Sequence, residues 1–148
     1  MTAILVDTNV LIYAHDRGEH DKQARAIKVL DHLQMTNSGW LSVQCLSEFF
    51  NITTRGRRPI LTGAQAAHQV EQLTQTWRIL DLTTSMVLEA IRGVRVHQLA
   101  YWDAQIWAAA RLNQISAIFS EDFNVGATLE GVRFVNPFAP AFTIDAWL

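Results

Sequence analysis

Five short runs of branched and aromatic residues, at 3–7, 40–43, 78–82, 116–120 and 132–135, are separated over most of the chain by stretches with helical spacing of apolar residues. That alternation leaves few options. Parallel strands need a crossover, a helix usually supplies it, and a sheet covered on both faces has strands that read as continuous apolar runs. The pattern predicts an α/β fold with a central parallel sheet. Helices are expected at 8–16, 20–34, 43–54, 63–77, 84–96 and 103–114. In 20–34, Ala24, Ile27, Leu30 and Leu33 recur at three-residue steps and form the expected buried stripe. No repeat, low-complexity tract or Pro-, Gly- or Ser-rich linker interrupts the 148 residues, so one domain over 1–148 is expected.

A chain of this length, 49% apolar and 18% charged, can bury a core without disulfides. Its one cysteine, Cys45, has no internal partner, which makes a reducing compartment, the cytoplasm, the expected location. No run approaches the roughly 20 apolar residues of a membrane span. The first apolar run meets Asp7 without a basic region before it, unlike a secretion signal. A net charge of −2 excludes nucleic-acid binding by bulk charge alone, so such binding would need local basic groups. The densest is "RGRRP" at 55–59, with Arg55, Arg57 and Arg58. Arg after a helix end also complements the helix dipole, so both readings stand there.

In open parallel sheets, sites lie beyond the carboxyl ends of the strands. Asp7 leaves the first strand there, and Thr8-Asn9 follow it; an N-cap and a site residue are both consistent with that position. Asp122, in "FSEDFN", leaves the strand at 116–120 at the same edge, where Glu121, Asp122 and Asn124 also suit a simple turn. Asp103 begins the helix at 103–114 and shares a face with Ile106, Trp107 and Ala110, which turns it toward the packed side. Glu48 sits between Ile52 and Gln44 at the border of an apolar stripe, where a solvated carboxylate is the commoner case.

Together the four acids suggest carboxylates converging at one end of the sheet. Like charges so close either raise pKa values or draw in a cation. An all-oxygen set selects hard ions, Mg²⁺ or Mn²⁺, which neutralise charge on phosphoryl oxygens and acidify bound water. The chemistry implied is metal-assisted phosphodiester hydrolysis.

The segments "VDTNVLIYA" (6–14), "LSEFF" (46–50), "YWDAQIWAAA" (101–110) and "IFSEDFN" (118–124) resemble, in order and spacing, the four motifs of the PIN-domain ribonucleases, most closely the VapC-type toxins of bacterial toxin–antitoxin pairs. The resemblance implies a three-layer α/β/α sandwich and Mg²⁺- or Mn²⁺-dependent endoribonuclease activity on RNA. By motif it assigns the acids to Asp7, Glu48, Asp103 and Asp122. It gives supporting roles to Ser120, where the family often has Thr, and to Asn9. Of the adjacent Glu121 and Asp122, the motif favours Asp122. The implied partners are a VapB-type antitoxin, which binds operator DNA on the toxin's behalf, and a second copy of the chain in a homodimer.

Other readings find less support. Cys45 lies in an apolar setting typical of inert thiols. The five histidines lack zinc-site spacing, and no phosphate-binding glycine loop occurs. A phospho-acceptor receiver would want adjacent acids after the first strand and Lys after the last; Thr8-Asn9 and "VRFVNPF" do not match. A DxD phosphatase fails because residue 9 is Asn. A PIN fold serving only as a scaffold is the remaining alternative. Tyr101 and Trp102 are consistent with core packing, an interface or base stacking. Phe138, Phe142, Ile144 and Trp147 near the C-terminus fit packing on the same domain or a partner contact.

Overall fold

The computed structural model describes residues 2–123 and 126–147. The strands β1 (Ile4–Val6), β2 (Gly39–Ser42), β3 (Arg78–Leu80), β4 (Ala117–Phe119), β5 (Thr128–Leu129) and β6 (Val132–Val135) form one sheet of order β3-β2-β1-β4-β6-β5. All pairs are parallel except β5 with β6. The central parallel sheet is as expected, and the antiparallel β5 is an addition at its edge. The two-residue β5 lies within a turn-rich stretch and is too short to carry an alternating signal.

The helices are α1 (Thr8–Tyr13), α2 (His20–Met35), α3 (Val43–Thr54), α4 (Gly63–Thr76), α5 (Thr84–His97) and α6 (Tyr101–Leu112), with a final 3₁₀ turn at Ile144–Trp147. Crossovers carry the chain outward from β1 to β3 through α1–α4, then back across the sheet to β4 through α5 and α6. Accordingly α1 packs on α2 and α3, α3 on α4, and α5 on α6, giving helices on opposite faces of the sheet. The three residues of β1 and of β4 are almost wholly buried, as a sheet covered on both sides requires.

Two sequence expectations shift. The helix expected at 103–114 begins at Tyr101, so Asp103 is its third residue. In α2 the buried residues are Ala26, Val29 and Leu33, whereas Ile27 is 43% exposed and Ala24 is also exposed. The reason is geometric. Each three-residue step falls about 60° short of full turns, so a stripe extrapolated back from Leu33 in threes reaches the opposite face by Ala24. The C-terminal aromatics pack on their own domain: Phe142 and Trp147 meet Phe119 edge-on at 5.4 and 5.2 Å between centroids, and Phe138 meets Tyr13 at 5.0 Å.

Gly39, the first residue of β2, shows how closely a side chain packs on the sheet. A Cβ there would stand 2.3 Å from the Trp77 ring, and that ring is itself buried. Gly39→Ala should cost roughly 1–3 kcal/mol through displacement of a rigid indole. Gly63→Ala, at the first residue of α4 with open space around it, should be neutral or stabilising by about 0.5 kcal/mol. Urea denaturation of the two variants checks the contrast; equal effects would contradict it.

Candidate functional site

The carboxyl edge of the sheet gathers the predicted acids. Asp7 follows β1 and caps α1; Glu48 projects from the middle of α3. Asp103 lies in the first turn of α6, and Asp122 follows β4. All four line one pocket of about 130 Å³, together with Thr8, Asn9, Ile12, Gln44, Ile52, Trp102 and Ile106. Glu48 and Asp103 reach it from opposite faces of the sheet.

Asp7 is the most constrained member, only 6% exposed. Its Oδ1 accepts the Thr8 backbone N–H at 2.8 Å, and its Oδ2 accepts the Ser120 hydroxyl at 2.7 Å. The Asn9 amide spreads its two N–H groups over Asp7 Oδ2 (3.3 Å), Ser120 Oγ (3.0 Å) and Asp122 Oδ2 (3.0 Å), tying the first acid to the fourth. Ser120 Oγ also accepts the Asp122 backbone N–H at 3.1 Å. Asn9 and Ser120 thus bridge the ends of β1 and β4.

Glu121 turns away from the pocket. Its carboxylate accepts from Lys22 Nζ at 2.8 Å and from the Tyr13 hydroxyl, which lowers its pKa and leaves Asp122 facing the other acids. Asn124, the last residue of the fourth motif, lies outside the described residues.

Gln44, Gln105 and Thr8 were not singled out by the sequence, yet they position Glu48. Gln44 Nε2 donates to Glu48 Oε1 at 2.7 Å and to the Trp102 carbonyl at 3.2 Å. Gln105 Nε2 donates to Gln44 Oε1 at 2.8 Å, and the Tyr101 hydroxyl donates to Gln105 Oε1 at 3.0 Å. The amides thus run in one direction, from the Tyr101 hydroxyl through Gln105 and Gln44 to Glu48. Thr8 Oγ1 donates to Glu48 Oε2 at a long 3.4 Å. The signals were modest: Gln44 is four residues before Glu48 on a helix, and Gln105, 5% exposed, is a polar residue on an otherwise apolar buried face.

The electrostatics tie the four together. Burial, then repulsion from Glu48 and Asp122, lifts the Asp7 carboxyl to about 6 against hydrogen bonds from Ser120 and Thr8 that pull it down. Burial followed by Asp122 and Glu48 also raises Asp103. The donors are all oxygen, the set preferred by Mg²⁺ or Mn²⁺, and the pocket has room for an ion that keeps several waters. Among the described residues, no three acidic, His or Cys side chains converge into a metal-holding cluster, so the carboxylates line a pocket rather than a closed coordination shell.

The other candidates fall elsewhere. Arg55, Arg57 and Arg58 are exposed on the α3–α4 connection, and none lines the carboxylate pocket. Arg58 instead shares a cleft of about 670 Å³ with Arg17 and His15. Cys45 is fully buried, and desolvation pushes its thiol up to about 12, which makes it a poor nucleophile.

Asp7 gives a pH prediction. The unfolded chain ionises it near 3.8 and the folded chain near 6, so folding favours the protonated acid. Its stabilising contribution is full below 3.8 and is lost as pH rises through about 6. With chelator present, the stability of Asp7→Asn relative to wild type should therefore improve by about 2 kcal/mol between roughly pH 4 and 7. Denaturation across that range is the check; a pH-independent difference would contradict it.

Comparison with known proteins agrees with this architecture. A PIN-domain family model matches residues 4–127. A search of curated proteins finds no match. Among solved structures, a toxin–antitoxin complex from Klebsiella pneumoniae is 20% identical with a TM-score of 0.62, covering 91% of this chain and 98% of that one. Mycobacterium tuberculosis VapC20, described as a sarcin-ricin loop cleaving toxin, is 20% identical with a TM-score of 0.64, over 86% of this chain and 98% of its own. A DNA-bound VapBC from Salmonella typhimurium is 15% identical with a TM-score of 0.65, over 93% and 99%. At these identities the likeness is one of fold. With the family model spanning most of its length, the chain belongs to the PIN-domain family.

Proposed function

We propose that the protein is a divalent-metal-dependent endoribonuclease acting as the toxin of a VapBC-type toxin–antitoxin pair, with residues 1–148 forming one catalytic domain. The observation that carries the reading is the single pocket lined by Asp7, Glu48, Asp103 and Asp122, where burial first and mutual repulsion second raise Asp7 and Asp103. A cation lowers that repulsion, and a phosphodiester is a ligand that such a cation would bring to the site. Mg²⁺ or Mn²⁺ held there would neutralise charge on the phosphoryl group and acidify a water.

The residues of the chain divide the remaining work. Asp7, Glu48, Asp103 and Asp122 would offer oxygens to the ion from four different parts of the fold. Glu48 holds its place through Gln44 and stays an acceptor. Ser120 and Asn9 keep the first and fourth acids in register. The fold likeness to toxin–antitoxin complexes supports a VapB-type antitoxin as partner, contacting operator DNA on behalf of both. Leu88 and Ile91, exposed and three residues apart on α5, fit a homodimer contact. Arg55, Arg57 and Arg58, lying beyond the pocket, suit contacts to phosphates further along the RNA. No helix among the described residues is long and apolar enough to cross a membrane, and the lone buried Cys45 fits a cytoplasmic setting.

Brief expression in bacterial cells followed by sequencing of new RNA ends tests this reading. Wild type should produce discrete ends bearing 5′-phosphate and 3′-hydroxyl groups. Asp7→Asn and Asp103→Asn should abolish them, and chelation should stop cleavage by the purified protein. Soluble wild type that leaves RNA intact would favour a scaffold, and undiminished cleavage by either variant would refute the site assignment.

A further inference from the structure

Beyond Glu48, the carboxylate pocket adjoins a larger cavity of about 500 Å³ between α3, the β3–α5 connection and the first turn of α6. Gln44, Glu48 and Trp102 belong to both. The cavity has an unusual wall. Trp102 is 64% exposed and Leu82 48% exposed, although a tryptophan usually buries most of its large surface. The Trp102 backbone carbonyl accepts from Gln44 at 3.2 Å, and Tyr101 meets the indole edge-on at 5.1 Å between centroids.

We propose that this cavity is a subsite for one unpaired nucleobase of the RNA, stacked on Trp102 and belonging to the nucleotide next to the phosphodiester held at the carboxylates. The proposal rests on the ribonuclease reading of the acidic pocket. The shared wall places any occupant within about one nucleotide of a group bound at the acids. An aromatic face is how proteins hold splayed single-stranded bases.

The opposite character of the remaining wall fits a base as well. Gln44, Gln105 and Ser47 present polar groups beside the apolar Val43 and Leu82. Gln44 and Gln105 are locked by the amide chain running from Tyr101 to Glu48. Their donors and acceptors are therefore set before anything binds, which reduces the cost of ordering and allows one base edge to be preferred over another. An apolar side chain from a protein partner would pack on Trp102 and Leu82 without matching the polar groups of Gln44, Gln105 and Ser47.

The test compares Trp102→Ala and Trp102→Phe with wild type on single-stranded RNA substrates differing only in the bases flanking the cut. In parallel, short homopolymeric oligoribonucleotides are titrated into Asp7→Asn protein while tryptophan fluorescence is followed. For Trp102→Ala, KM should rise roughly tenfold with kcat altered less than about twofold, and preference among bases should flatten. Trp102→Phe should recover part of both. The fluorescence change should be lost when Trp102→Phe is added to Asp7→Asn. Thermal melts near the wild-type value show that the fold is intact, as an exposed side chain permits.

Unchanged KM and base preference in Trp102→Ala would overturn the subsite. If that variant weakened only antitoxin binding, the cavity would be a seat for protein. If wild type cleaved no RNA but oligoribonucleotides still altered Trp102 fluorescence, the nuclease reading would fall and the base subsite would stand. No cleavage and no fluorescence response would sink both.

Discussion

Asp7 is a carboxylate held almost out of water, and the surrounding structure answers to that constraint. Burial alone opposes its charge, and Glu48 and Asp122 oppose it further. Hydrogen bonds from Ser120 and Thr8 offset part of the cost, but the group still titrates near 6 rather than near 3.8. A single such residue would be an expense without a purpose. Four carboxylates around one pocket raise that cost further, and the scaffold maintains their separation.

That scaffold is built from ordinary parts with unusual connections. The parallel order β2-β1-β4 puts the ends of β1 and β4 side by side, so Asp7 and Asp122 emerge as neighbours. Asn9 and Ser120 then stitch those two ends together. Gln44 braces α3 against α6, joining Glu48 to the turn that carries Asp103. Lys22 and Tyr13 withdraw Glu121 from the pocket, so the acidic pair after β4 contributes one carboxylate instead of two. Away from the site, Glu130 accepts from Arg92 and His97 on α5, and Arg111 of α6 lies beside the same carboxylate. That cluster fastens the β5–β6 turn to the helical layer.

Much of this was legible in the sequence, for physical reasons that vary by element. Buried parallel strands and long amphipathic helices leave strong local patterns, so β1, β2, β4, β6 and α3 fall almost where their residues suggest. Pattern fails where geometry is cumulative or very short. In α2, three-residue steps drift around the helix and misassign Ala24 and Ile27, whereas Ala26 and Val29 are the residues buried with Leu33. In β5, two residues give no period at all. The acids were readable because each stands at the end of a strand or in a helix turn that topology brings to one edge. Gln44 and Gln105 were not, because an amide that braces another residue across 61 positions has no local signature. The motif favoured Asp122 over Glu121, but the physical reason, Lys22 paired with Glu121 from 99 residues away, is visible only in the fold.

The central claim is that these carboxylates form one cation-binding centre, and it can be examined without any RNA. Crystals of the wild-type protein soaked in Mn²⁺ at neutral pH, with data collected to record the anomalous signal of manganese, locate the ion directly. The account predicts an anomalous peak inside the pocket, within bonding distance of Asp7 and at least one of Asp103 and Asp122, and its absence from Asp7→Asn crystals. A pocket without a peak in fully soaked crystals, or manganese bound only at surface carboxylates elsewhere, would contradict it.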